Sequence, residues 1–201
     1  MTASKPIVFA ITGASGAPYA VRLLRAIVEA KRPVQLIVSD HGWRLLDTET
    51  GIGDVAALRS KSGGNAWEGL VTIYDDKDRG AAPASGSALT AGMVICPCSM
   101  GTLAAVSAGT SRSLVERAAD VTLKERRPLI LVPRETPLSA IHLENMLRLT
   151  HAGAVIMPAA PGFYHRPEKV DDLVDFIVGR VLDHLGVENT VSRRWNPTRA
   201  E

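Results

Sequence analysis

Apolar runs alternate with segments of helical periodicity along most of this chain. Short runs rich in Val, Ile and Leu predict six β-strands, at residues 7–12, 34–38, 70–74, 93–96, 129–132 and 154–157. Between most of them apolar residues recur at helical spacing, and a last helix is predicted at residues 170–185. Strands that alternate with helices form a parallel, doubly wound sheet with helices on both faces. We therefore expect a single α/β domain, Rossmann-like or flavodoxin-like.

The segment 51–87 departs from this alternation. It is rich in Gly, Ser, Ala and Asp, and its stretches "RSKSGGNAWEG" and "DRGAAPASGS" favour loops. Long loops in compact domains are often functional. The end of the segment, residues 84–87, is therefore a candidate ligand contact, with Ser87 as its hydroxyl group.

Composition and charge narrow the class of protein. The 201 residues are 46% hydrophobic and 22% charged, which is typical of one globular domain. The 23 Lys and Arg nearly balance the 21 Asp and Glu, so neither nucleic acid nor a membrane surface is an expected partner. No apolar stretch approaches the roughly 20 residues of a membrane span, and "MTASKPIVFAITG" enters a strand rather than a cleavable signal. These features predict a cytoplasmic protein.

The chain has two cysteines, Cys96 and Cys98. With one residue between them they are poorly spaced for a disulfide, and two thiolates alone do not complete a zinc site. We interpret them as buried structural thiols, and we expect no metal site.

Polar and glycine-rich sequences follow the predicted strands, and the carboxyl ends of parallel strands meet at one edge of the sheet, where ligands bind. These residues are Gly13 to Gly16, Ser39, Asp40, Ser99 to Thr102, Arg134, Glu135 and Tyr164. Thr136 is predicted to cap the helix after the fifth strand, with Pro137 as its first residue. That cap would leave Arg134 and Glu135 in the loop before the helix.

The stretch "ITGASGAPYAVRLLRAI" predicts a strand, a glycine turn and a helix, an arrangement that presents free backbone N–H groups to an anion. A dinucleotide fingerprint would require glycines at the positions of Ser15 and Pro18, and no Gly-Lys-Ser/Thr follows for a P-loop. No tyrosine has the lysine four residues later that a short-chain reductase would need. The remaining interpretation is a mononucleotide cradle suited to one phosphate, with Arg134 nearby.

In its motifs the chain resembles the UbiX-type flavin prenyltransferases, which share a larger flavin-binding family with flavin-dependent cysteine decarboxylases. The resemblance covers nearly the whole chain and rests on "TGASGAPYAVRLL", "TET", "PASGS", "MVICPCSMGTLA", "ERAADVTLKERRPLILVPRETPLS", "HLENML", "GAVIMPAAPGFYHRP" and the closing "RW". The segment after "TET" varies among members of the family and is glycine-rich here.

The resemblance implies a reaction and its participants. UbiX-type enzymes join a dimethylallyl group, delivered as dimethylallyl phosphate, to N5 and C6 of reduced FMN without a metal. The product, prenylated FMN, serves a partner decarboxylase of the UbiD type. The family also implies a homo-oligomer, commonly a dodecamer, with FMN held where subunits meet. The sequence leaves open whether the donor is the monophosphate or the diphosphate, and which decarboxylase is served.

Residue by residue, the resemblance assigns three groups. The flavin site comprises Gly13, Ala14, Ser15, Ser39, Ser99, Met100, Gly101, Thr102, Arg117 and Arg134. The donor site comprises Ser87, Lys124, Arg134, Tyr164 and Arg180. The catalytic residues are Glu135 as the acid at the leaving phosphate, Lys124 as a cation there, Ser15 with Glu49 as the relay that removes the C6 proton, and Trp195 against the dimethylallyl group.

Several of these residues have a structural alternative. Arg117 could be a structural arginine held in a salt bridge, and Lys124 could complement the dipole at a helix end. Trp195 belongs to a polar tail, about residues 187–201, and either anchors onto a surface or completes a site, its own or that of a neighbouring subunit.

Two other functions remain open. A flavin-dependent cysteine decarboxylase would use a His and an Asn-containing motif near the flavin, and "PASGS" lacks that Asn. A non-catalytic flavin carrier, the small subunit of a decarboxylase, would need a flavin site but no set of acids and bases.

Overall fold

A computed structural model describes residues 4–192 of the chain. Its six strands form one parallel sheet in the order β3-β2-β1-β4-β5-β6, the strand order of Rossmann folds. The strands are β1 (Ile7–Ile11), β2 (Val34–Val38), β3 (Val71–Tyr74), β4 (Gly92–Cys98), β5 (Leu129–Pro133) and β6 (Val155–Ile156). All six strand predictions and the doubly wound α/β class are confirmed.

Seven α-helices are described within residues 4–192. They are α1 (Ala17–Glu29), α2 (Asp40–Thr50), α3 (Val55–Lys61), α4 (Met100–Ala108), α5 (Leu114–Lys124), α6 (Ala140–His151) and α7 (Val170–His184). The predicted last helix is α7, within one residue of the expected end. None of these helices is both long enough and apolar enough to cross a membrane.

The core lies on both faces of the sheet, because every residue of β1 is buried. Phe9 and its alternate neighbours in β1 face a cluster that includes α1 and α7, and Ala10 faces a second cluster that includes α4 and α5. A strand buried on both faces has a continuous apolar sequence, so the positions of the strands could be predicted from the sequence.

The loop prediction for the segment 51–87 is wrong in part. Asp54 caps α3 by accepting a hydrogen bond from the Ala57 amide at 2.7 Å, and the helix buries a single residue, Leu58. Trp67, in a short 3₁₀ turn, is buried and donates its indole N–H to the carbonyl of Ser62 at 3.0 Å. A seven-residue helix with one buried position is too short to show a helical period.

Both cysteines are buried and free, as predicted. Burial raises the pKa of the Cys98 thiol to about 12. Burial and the neighbouring Cys98 also raise the pKa of Cys96. Both side chains therefore stay protonated and fill core space at neutral pH.

Candidate functional site

The site is organised at the carboxyl edge of the sheet, between the neighbouring strands β1 and β4. Thr12 follows β1, and its buried hydroxyl donates to the carbonyl of Pro97 at 2.9 Å. The same oxygen accepts the backbone N–H of Ser99 at 2.9 Å. This side chain therefore fixes the start of α4 against the glycine turn that precedes α1. The reversal of strand order falls here, where ligands bind in open α/β sheets.

The amino end of α4 is an open set of donors. Ser99 caps the helix by accepting the Thr102 amide at 3.2 Å, and its hydroxyl lies 3.0 Å from that of Thr102. Among residues 4–192, no acceptor is found for the amides of Met100 and Gly101. Gly101 is exposed, and a Cβ added to it would meet only the Ser99 Oγ, at 4.0 Å. Two amides and two hydroxyls thus face one small region at the positive end of a helix dipole.

The start of α1 is different, because a carboxylate of the chain already occupies it. Glu49, near the end of α2, accepts hydrogen bonds from the amides of Gly16 at 2.9 Å and Ala17 at 2.8 Å through Oε2. Pro18 has no N–H, and the Tyr19 amide donates to the carbonyl of Gly16 at 3.0 Å. The expectation of free amides is therefore wrong for Gly16 and Ala17: the anion that they bind is Glu49.

Ser15, Glu49 and Arg134 form one hydrogen-bonded group. Burial alone would raise the pKa of Glu49, but three kinds of contact outweigh it and hold the pKa below its ordinary value. They are the backbone amides of Gly16 and Ala17, the side chain of Ser15 and the positive charge of Arg134. The Arg134 Nε also donates to the carbonyl of Ser15 at 3.3 Å. The structure thus brings together the two residues expected to form a proton relay and sets a cation beside them.

The other flavin-site candidates of the first two turns are closely packed. A Cβ on Gly13 would lie 2.5 Å from the Cβ of His41, so only glycine lets this turn approach α2. Ala14 is buried. The hydroxyl of Ser39 caps α2 by accepting the Gly42 amide at 3.1 Å. Both turns stand at the carboxyl edge, as predicted.

The loop after β5 corrects one prediction. Ser139, rather than Thr136, caps α6, and the pairing is reciprocal: Ser139 Oγ accepts the His142 amide at 3.2 Å, and His142 Nδ1 accepts the Ser139 amide at 3.3 Å. The loop before α6 is consequently three residues longer than expected. Glu135 within it is exposed and accepts the amide of Thr136 at 3.1 Å.

Lys124 and Ser87 lie at the opposite edge of the sheet. Lys124 ends α5 and pairs with Glu125, and a Cβ on Gly86 would come within 2.9 Å of its Nζ. Arg127 holds this loop by donating to the carbonyls of Gly86 at 2.6 Å and Ala88 at 2.8 Å.

The whole length of β5 separates these groups from Arg134. Its five residues span about 16 Å at roughly 3.3 Å per residue. One chain therefore does not bring Lys124 to the Ser15 group. Arg117, also on α5, pairs with Asp120 at 2.8 Å.

The last candidates belong to α7 and the loop before it. Tyr164 packs edge-on against Phe176 of α7, with ring centroids 5.7 Å apart, and His165 stacks on the same ring at 5.4 Å. Arg180 is exposed one helical turn beyond Phe176 and lies 3.5 Å from Asp183. Trp195 lies outside the described residues.

Sequence reasoning missed two positioning residues. Thr12 was assigned to the first strand, although a polar residue at the end of a buried run could have drawn attention to it. Arg127 was not among the candidate residues, but its guanidinium anchors the "PASGS" loop. Neither contact has a local pattern, because the partners are 85 and 41 residues away.

Comparison with known proteins places this geometry among flavoproteins. The family model described as Flavoprotein matches residues 1–182. The flavin prenyltransferase UbiX of Pseudomonas aeruginosa is 49% identical over 200 residues, which cover 97% of this chain and 96% of that relative.

Two solved structures are similar over nearly their whole length. A UbiX crystal structure in complex with FMN and dimethylallyl pyrophosphate matches with a TM-score of 0.88 at 40% identity, covering 96% of this chain and 98% of that one. A dodecameric FMN-dependent UbiX-like decarboxylase from Escherichia coli matches with a TM-score of 0.87 at 42% identity, covering 95% and 99%.

The lowered pKa of Glu49 predicts how its contribution to stability depends on pH. A carboxyl whose folded-state pKa lies below its ordinary value of 4.5 stabilises the fold above that pH, and the contribution is lost as the pH falls through the folded-state pKa. Wild type should exceed Glu49→Gln in free energy of unfolding by about 1 kcal/mol at pH 7, a small value because the carboxylate is partly solvated. The two proteins should converge in acid. Urea unfolding at a series of pH values measures this difference. Glu188→Gln, at an exposed position, should match wild type throughout, and a gap for Glu49→Gln that persists in strong acid would contradict the account.

Proposed function

This chain belongs to the family of UbiX-type flavin prenyltransferases, and we propose that it transfers a dimethylallyl group from dimethylallyl phosphate to N5 and C6 of reduced FMN. The observation that carries the proposal is the group formed by Ser15, Glu49 and Arg134 beside the open amino end of α4. A flavin carrier would need the open amino end of α4 to bind the flavin, but it would not need the group formed by Ser15, Glu49 and Arg134.

The residues around the β1–β4 junction fit a flavin mononucleotide. The amides of Met100 and Gly101 and the hydroxyls of Ser99 and Thr102 suit its phosphate, since they form an anion site at a helix start. Ser39 and the turn at residues 13–15 would hold the remainder of the flavin along the same edge. Reduced FMN supplies the nucleophilic N5 and C6 to which the prenyl group is joined.

The loop after β5 would act on the donor phosphate. Arg134 and Glu135 are adjacent and exposed, so both can reach a ligand at the sheet edge. Breaking the allylic C–O bond leaves negative charge on the phosphate, which a guanidinium stabilises and a carboxylic acid can protonate. We assign Glu135 the proton that is transferred to the leaving oxygen.

The Ser15 and Glu49 pair would remove the C6 proton in the second bond-forming step. Ser15 passes the proton to Glu49, whose Oε2 is fixed by two amides. With its pKa lowered, Glu49 is a weak base while Arg134 is beside it. A phosphate bound to Arg134 would offset that positive charge and restore basicity to the carboxylate when the donor is in place.

We further propose that each site draws on two subunits of a homo-oligomer, in keeping with the dodecamer known for the relative from Escherichia coli. Lys124 and Ser87 are a strand length away from Arg134 within one chain, so they would serve the site of a neighbour. Helix α6 supports assembly, since it buries only Leu149 and exposes Leu143 at 53% and Leu147 at 57%, which lie one turn apart on the same face. An apolar helix face of this kind is typical of a subunit interface.

Three further parts of the proposal follow from the reaction class. Tyr164 and Arg180 would bind the donor phosphate, and Trp195 would cover the prenyl group against water. A UbiD-type decarboxylase would receive the prenylated FMN. We also propose a cytoplasmic location, as the sequence predicts.

Anaerobic incubation of the full-length protein with reduced FMN and dimethylallyl phosphate tests the function directly. Mass spectrometry of the released flavin should show the gain of one five-carbon prenyl unit, with one phosphate liberated for each flavin modified. The diphosphate donor is run in parallel to decide donor choice. Flavin that is bound but recovered unmodified with both donors would reject the prenyltransferase in favour of a carrier or a decarboxylase.

Glu135→Gln should lower turnover by about 100-fold or more, because the amide cannot donate a carboxylic proton to the leaving phosphate. FMN binding, followed by its absorbance on the purified protein, should be unchanged. Glu68→Gln, at an exposed position far from the loop, is the matched control and should turn over normally. Wild-type turnover in Glu135→Gln would remove this residue from the mechanism.

Mixed oligomers test whether subunits share the site. Ser15→Ala and Lys124→Ala should each be inactive alone. Co-expressed in equal amounts, they should recover about a quarter of wild-type activity, because random assembly leaves about one shared site in four with both residues intact. Ser15→Ala mixed with Glu135→Gln should recover much less, since both changes affect the same edge of the chain. Equal recovery in the two mixtures would contradict a site shared in this way.

A further inference from the structure

Each backbone N–H group at the amino end of α1 already donates a hydrogen bond within the described part of the chain. The amides of Gly16 and Ala17 donate to Glu49, Pro18 has no N–H, and the amide of Tyr19 donates to the carbonyl of Gly16. In a Rossmann dinucleotide site the pyrophosphate binds at this turn, between the first strand and the first helix. Here the strand order is the same, but the donors have a partner from the chain itself.

We propose that Glu49 is an internal anion that closes the amino end of α1 to ligand phosphate and so excludes dinucleotides from the first βα turn. Its carboxylate takes the place that a phosphate oxygen would take, with hydrogen bonds at 2.9 and 2.8 Å. An incoming phosphate would have to break two charge-assisted hydrogen bonds and would meet a negative charge.

The contrast with α4 supports a selective role. Both helices start at the same sheet edge, beside each other at the β1–β4 junction. The start of α4 carries two amides with no acceptor among residues 4–192, whereas the start of α1 carries none that is free. One anion site is thus open and one is closed. A ligand with a single phosphate needs only the open site, and a dinucleotide loses the site that normally binds its pyrophosphate.

The neighbouring residues hold the internal anion in place. The side chain of Ser15 donates to Glu49, and the positive charge of Arg134 lies close by. The bonds from the two amides join residues 32 and 33 positions apart, so Glu49 is brought to the turn by the packing of α2 against α1 rather than by local sequence. This role of Glu49 is to prevent certain ligands from binding, and it does not depend on prenyl transfer.

Anion binding, rather than turnover, tests the role. The full-length proteins, loaded with FMN, are titrated with inorganic pyrophosphate by calorimetry as wild type, Glu49→Ala and Glu49→Gln. Any pyrophosphate site elsewhere is common to the three proteins. Glu49→Ala should gain one further site per chain, at least tenfold tighter than any additional binding by wild type. Glu49→Gln keeps an acceptor oxygen in front of the amides but loses the negative charge, so its additional binding should fall between that of wild type and that of Glu49→Ala. Thr48→Ala, next in the chain and exposed, is the control for substitution at the end of α2.

Crystals of the same proteins soaked in selenate locate the site through the anomalous signal of selenium. A peak within hydrogen-bonding distance of the Gly16 and Ala17 amides should appear in Glu49→Ala and be absent from wild type. An unchanged number of pyrophosphate sites in Glu49→Ala with no peak at these amides would overturn the proposal, and so would a peak there in wild type. FMN content and the circular dichroism spectrum confirm that Glu49→Ala is folded. If it is not, the comparison is made with Glu49→Ser, and the same two outcomes decide.

Discussion

The hydrogen bonds from Gly16 and Ala17 to Glu49 hold together the elements that build the site. They join the start of α1 to the end of α2, and the same carboxylate bonds the side chain of Ser15. Arg134, from the loop after β5, donates to the carbonyl of Ser15 and so adds a third element to the group. One carboxylate thereby sets the position of the Ser15 hydroxyl, the charge near it and the donors that a ligand can still reach.

The polar groups discussed above lie at two opposite edges of the sheet. Its carboxyl edge carries the glycine turn, the α4 start and the Arg134 loop, whereas its amino edge carries Lys124 with the loop that Arg127 anchors. In a parallel sheet the strand length fixes the distance between the edges, and no side chain is long enough to span it. A chain with polar groups at both edges can unite them only against another copy of itself. The proposed shared site follows from this geometry and from the apolar face of α6.

Much of this fold could be predicted from the sequence because the central strands are buried on both faces. The grouping of polar residues at the carboxyl edge could be predicted too, since the carboxyl ends of parallel strands lie at one edge of the sheet. The family resemblance placed Glu49 beside Ser15, but its bonds to the Gly16 and Ala17 amides could not be predicted, because residues 33 and 32 positions apart show no local sequence pattern. The same turn therefore looked like an empty phosphate cradle. The cap of α6 was misplaced because Thr136-Pro137 and Ser139 both fit the local preference for a helix start, and only tertiary packing selects the second.

Helix α6 contributes one buried residue, Leu149, to the core of its own chain. In isolation such a helix gains little from folding, since most of its apolar surface would remain in water. If a second copy covers that surface, the folded chain and the assembled oligomer become linked by mass action, and dilution weakens the native state as surely as heat does. The stability of this protein is then a property of its concentration as well as of its sequence.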